Sequence, residues 1–493
     1  MKSDSAAARR ALRCALLAAA AAAAATTGNV WAHAFGARYE LPVPVWLFVV
    51  GGALTVTLTF VVLAVFARGG AERYARACWK LQGSALGRLM AAPALTAALK
   101  LLGVAGLVLV LVAGWFGATD PNRNIAPTLV WIVWWVGFSY LAMLVGNVWP
   151  VVNPWRSLYD LFWAWRGRAP GASTPWPAGA GSWPAFGLLL AFGWVELVFP
   201  FRATPVVLAA MVAAYSVLTW VGMARYGPNA WLDNADPFHR VFELFSRFAP
   251  IAATPRDGLV LRPHAAGLLW RDATRSSTTE VAFVMAMLAI VLFDALQGSK
   301  HWAALEDLVH ALDPKLGDAG WIGLHSVGLL ATWGLFLALY VGACAIAKAG
   351  TDATLSTLAC ARAFAPTLIP IAVGYHFAHT FTYLLVQGQT LQFLVSDPLG
   401  IGWNLFGTRD AQIDIAIIGT KTAWYLALSA IVMGHAISVV LAHVTAARLL
   451  GTRTQVFRVL LPMTTLMVIY TIVSLMILAD PLVRYSGPQD TII

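Results

Sequence analysis

Ten apolar runs, each long enough to cross a lipid bilayer, constrain this chain more than any other feature. They fall near residues 44–67, 97–117, 128–149, 183–200, 204–223, 279–297, 320–346, 364–388, 422–442 and 459–479. Backbone polar groups in hydrocarbon must bond to one another, so only helices or a closed barrel can span. These runs are continuous rather than alternating with period two, which selects helices. Composition agrees: 59% of the 493 residues are hydrophobic and 11% charged, against about a quarter charged in a soluble domain. The expected fold is all-α, a polytopic transmembrane helix bundle of about ten spans.

The first residues read differently. Lys2, Arg9, Arg10 and Arg13 precede an alanine-rich stretch to Ala25, and Val30-Trp31-Ala32 fits a signal-peptidase site. The expected organisation is a signal peptide over 1–32 and a single transmembrane helical domain over 33–493. His33 would then open the mature chain, where its amine and imidazole together can chelate a copper or zinc ion.

Basic residues set orientation. With the mature N-terminus outside, the segments after the first, third, fifth, seventh and ninth spans face the cytoplasm. They carry 21 of the Lys and Arg residues, against 8 in the outer segments. That bias predicts an N-out chain in a bacterial inner membrane. The net charge of +10 therefore reads as orientation, with the bilayer as partner and no nucleic acid. Cys78, Cys344 and Cys360 all fall on the cytoplasmic side, so no structural disulfide is expected. In the longest cytoplasmic segment, 224–278, Phe238, Val241, Phe242, Phe245 and Phe248 recur at helical spacing and predict an interfacial helix. A second such helix is expected over 71–92, with Arg73, Arg76, Lys80 and Arg88.

A titratable group inside a span costs several kcal/mol unless it is paired or used. His376 and His379 lie three apart on the eighth span and share a helix face. His325 lies on the seventh span, His435 on the ninth with His443 at its inner end, Asp294 on the sixth and Glu196 on the fourth. These predict a centre for a divalent metal ion, zinc or copper, built from His325, His376 and His379. His435 or Asp294 would complete it, His33 could reach it, and Asp294 could serve as base. The plainer reading of each histidine is a hydrogen bond from helix to helix. Haem is less favoured: spans eight and nine lack histidines 13 or 14 apart, and there is no Cys-x-x-Cys-His. The nucleophile elbow, the phosphate-binding P-loop and His-Glu-x-x-His are absent from the sequence.

Several stretches carry a resemblance. Ala32-His33-Ala34-Phe35-Gly36-Ala37-Arg38-Tyr39-Glu40-Leu41-Pro42-Val43-Pro44-Val45-Trp46-Leu47 resembles the start of the bacterial membrane proteins of the fenitrothion hydrolase family. Asn124-Ile125-Ala126-Pro127-Thr128, Gly374-Tyr375-His376-Phe377-Ala378-His379, Leu385-Val386-Gln387-Gly388-Gln389 and Gly434-His435 to Ala442-His443 extend it over nearly the whole chain. Val444 stands where relatives often carry Asp. The resemblance implies hydrolysis of the aryl ester bond of an organophosphorus triester such as fenitrothion, giving a nitrophenol and a dialkyl thiophosphate. Such a substrate is small, neutral and hydrophobic, and partitions into a bilayer. A metal-bound water with a pKa lowered to about 7 would supply hydroxide at neutral pH. The alternatives are a copper- or haem-binding redox membrane protein and a membrane transporter.

Overall fold

The computed structural model describes residues 45–66, 74, 77–167, 174–254, 257–270, 276–349, 356–450 and 452–479. The expected signal peptide, His33 and most of the first family-like stretch lie outside them. In chain order the principal helices begin with α1 (Val45–Phe66), α2 (Pro93–Phe116), α3 (Ile125–Leu144), α4 (Trp183–Leu197) and α5 (Pro205–Tyr226). Next come α6 (Pro237–Ser246), α7 (Thr278–Gln297), α8 (Lys300–Leu312) and α9 (Asp318–Ala349). The series ends with α10 (Thr357–Phe364), α11 (Ile369–Gln387), α12 (Thr420–Leu449) and α13 (Arg453–Ala479).

Every one of the ten apolar runs is helical at its centre. Among the described residues, eight helical stretches are long and apolar enough to cross a membrane: α2, α3, α5, α7, α9, α12, α13 and the stretch Thr357–Leu394 that contains α10 and α11. The apolar stretch of α1 over Trp46–Val62 and the 15-residue α4 are shorter. Within α3, Thr128–Gly137 is wound as a π-helix.

The chain packs as two compact units interleaved in sequence, although it reads as one helical domain. One unit is drawn from 1–68, 287–379 and 420–493, the other from 69–286 and 380–419. In the first, α1 lies against α12 and α13, with Phe48 edge-on to Trp424 at 4.1 Å. In the second, α2 packs on α5, and α6 packs on the last turns of α3.

Two expectations change in the second unit. The aromatic face of α6 does not lie on a bilayer. It is buried by protein, with Phe238 against Trp134 at 4.4 Å and Phe242 against Trp149 at 5.5 Å. The same periodicity serves either surface, and the tryptophans of α3 and the following loop supply an apolar partner within the chain. The stretch 71–92 holds the strand Trp79–Lys80 and the helix Ala85–Met90, which starts where Ser84 accepts from the Gly87 amide. That strand pairs antiparallel with Gly258–Leu261, which pairs with Ile251–Thr254, in the order first, third, second. Strands of two to four residues carry no legible alternation, so this small sheet was absent from the all-α expectation.

Asp236 caps α6 by accepting from the Phe238 and His239 amides at 2.9 and 3.0 Å. Burial pulls the His239 imidazole down, but the hydrogen bond to Asp233 and the charges of Asp236, Asp233 and Glu243 outweigh it and hold it above its ordinary value. Protonated His239 is therefore favoured by folding. Its contribution is complete below about pH 6.5, the unfolded value, and is lost as pH rises through the raised folded value. Unfolding midpoints are expected to fall across that window, and His239→Gln to flatten the fall. An unchanged slope in the variant would remove His239 as its source.

Candidate functional site

The first unit brings together most of the titratable groups singled out from the sequence. Chain connectivity does the first part: α7 ends at Gln297 and α9 starts at Asp318, with only α8 and short turns between, so Asp294 and His325 belong to the same end of the unit. Ser299 caps α8 by accepting from the Trp302 amide, and this directs the first turn of α8 back toward α9.

His379 on α11 bonds through Nε2 to Asp294 Oδ2 on α7 at 2.7 Å. The imidazole donates to the carboxylate in that contact. The carboxylate thereby orients the ring and selects the tautomer with its lone pair on Nδ1. The two side chains are 26% and 42% accessible.

A second carboxylate–imidazole pair stands on α8 and α9. His325 Nδ1–H donates to the Trp321 carbonyl at 3.0 Å, and its Nε2 lies 3.2 Å from Glu306 Oε1. Trp302 Nε1–H donates to Glu306 Oε1 at 2.8 Å and reaches His325 Nε2 at 3.3 Å. The Trp302 ring packs on both His325 and Phe293, the residue before Asp294, with centroids 5.2 Å away in each case. Glu306 and Trp302 did not emerge from the sequence because α8 is no span. The available signal was their spacing of four on an amphipathic helix between an aspartate-bearing and a histidine-bearing span.

The remaining histidines sit deeper. His376 and His435 are 2% and 0% exposed, on α11 and α12. His435 Nδ1–H donates to the Ile431 carbonyl at 2.9 Å within its own helix. Two glycines bring these helices together. A Cβ on Gly374 would stand 2.4 Å from the Ala430 carbonyl oxygen, and one on Gly434 would stand 2.5 Å from that of Pro370. Both glycines precede their histidines in the family-like motifs, so the motifs mark a close helix crossing with an imidazole on each side. Gly434→Ala is expected to push the helices apart and cost about 1–3 kcal/mol, read as a lower unfolding temperature of the purified protein. A midpoint unchanged from wild type would show that the crossing tolerates the methyl group.

Among the described residues, no three His, Cys, Asp or Glu side chains gather as a metal ion would require. His33 lies outside the described residues, and the Nε2 of His379 and of His325 already face carboxylates. As placed, His379 and His325 each face a carboxylate, while His376 and His435 lie buried. In the second unit, Glu196 receives the Trp135 Nε1–H at 2.7 Å, a polar tie between α3 and α4. Compared with protein-family models, with curated proteins and with solved structures, the chain matches none.

Proposed function

We propose that this chain is a membrane-embedded hydrolase that cleaves the aryl ester bond of neutral organophosphorus triesters such as fenitrothion. The observation that carries the reading is the pairing of Asp294 with His379 at an accessible position between two apolar helices. The family-like motifs support it independently, since they include His379.

Asp294 holds the Nε2–H of His379, and Nδ1 takes a proton from water as the oxygen attacks phosphorus. Asp294 stabilises the imidazolium that results. The P–O(aryl) bond breaks, and the nitrophenolate leaves without an acid because its charge spreads into the ring. The dialkyl thiophosphate is the second product, and the imidazolium returns its proton to solvent. A hydrophobic triester reaches such a dyad by partitioning into lipid. This reading includes the ten-span, N-out arrangement in a bacterial inner membrane that the charge bias supports.

The test is release of nitrophenolate from fenitrothion by the purified full chain, with metal content measured on the same preparation. Wild type should release it and Asp294→Asn should not. No release by folded wild type, or full release by the variant, overturns the assignment. The second pair, Glu306–His325, favours one other reading, a proton-coupled transporter. That reading predicts proton-driven accumulation in vesicles with the substrate intact.

A further inference from the structure

Outside the candidate site, the first unit holds two cysteines in contact. Cys344 lies on α9 and Cys360 on α10, sixteen residues apart in sequence, and both are 0% exposed. α9 packs directly on α10 there, and the two thiols interact across that packing. Tyr340, one turn before Cys344, also touches it and donates its hydroxyl to the Ala361 carbonyl at 2.7 Å. Ala343, Ala347, Ala361 and Phe364, close to them in sequence on the same two helices, are buried as well.

Two sulfurs from packed helices, with no third His, Cys, Asp or Glu gathered to them among the described residues, make a soft donor set of low coordination number. Zinc takes four ligands and magnesium takes oxygen, whereas thiolates select copper(I). We propose that Cys344 and Cys360 form a two-thiolate site for a copper(I) ion. Binding replaces both thiol protons: copper(I) and two thiols give a bis-thiolate complex of single negative charge and two released protons. No electron is transferred.

Local features favour that anion. Cys360 lies four residues after the N-cap Ser356, where the positive end of α10 stabilises a thiolate. Lys348 follows Cys344 by one turn of the same helix. The basic bias of the sequence places these residues on the cytoplasmic side, where thiols stay reduced and copper is monovalent.

The experiment loads the full chain anaerobically with copper(I) and challenges it with excess bathocuproine disulfonate. Wild type is expected to keep one copper per chain, and so is Cys78→Ser, because Cys78 is exposed and remote in sequence. Cys344→Ser and Cys360→Ser should each lose the copper. Where a serine variant fails to fold, copper K-edge absorption of the wild type decides, with two sulfur ligands expected. Surrender of all copper by wild type, nitrogen ligation, or a folded serine variant that keeps its copper would each overturn the proposal.

Discussion

Replacing His379 by Ala is expected to lower fenitrothion hydrolysis by about 10²–10⁴-fold, the usual contribution of a positioned general base. Asp294→Asn should fall in the same range for a different reason. The amide preserves the shape of the pair, but as an N–H donor it no longer fixes the lone pair on Nδ1 or stabilises the imidazolium. Because the residues act as one unit, the double variant should be little worse than either single one. Additive losses would mean that the 2.7 Å contact is incidental and the two side chains act separately. His325→Gln is the comparison that separates the two pairs. Loss there equal to that of His379→Ala would move the chemistry toward Glu306.

The second large effect is on stability and lies in the second unit. Arg247 bridges Glu243 at 2.6 Å and Glu280 at 3.0 Å, and the Glu280 side chain is only 1% exposed in the first turn of α7. Glu243 also holds Arg240, so it keeps a partner when Arg247 is removed. Glu280 loses a charge-assisted hydrogen bond from Arg247 to its buried carboxylate. Arg247→Met is expected to cost about 3–5 kcal/mol, the penalty for breaking a buried pair by removing one member. Pairing it with Glu280→Leu should recover most of that loss, because both charges then leave the interior together. Unfolding midpoints of the single and double variants in detergent check this. If the double variant is as unstable as Arg247→Met, the cost lies in packing rather than in the lost ion pair.

How much of this was legible can be judged residue by residue. His379 and Asp294 were candidates because a titratable side chain in an apolar run needs a use or a partner, and each found the other. His376 and His435 met the same criterion, but close glycine contacts bury them between α11 and α12. Glu306 escaped notice because a carboxylate on a polar helix is ordinary until its neighbours are known. The aromatic stripe of α6 was legible as a helix face, but not which surface would cover it.

From sequence alone came the helical class, the approximate position of every apolar run and the short roll of groups that lipid would not tolerate unpaired. Those properties follow from the cost of bare backbone and bare charge in hydrocarbon, which is paid residue by residue along the chain. Tertiary structure alone decided that His379 and His325 each meet a carboxylate, that a third helix brings Glu306, and that two cysteines sixteen residues apart lie buried on packed helices. Such meetings depend on which helix lies beside which and at what rotation, and small residues such as Gly374 and Gly434 set that through contacts remote in sequence.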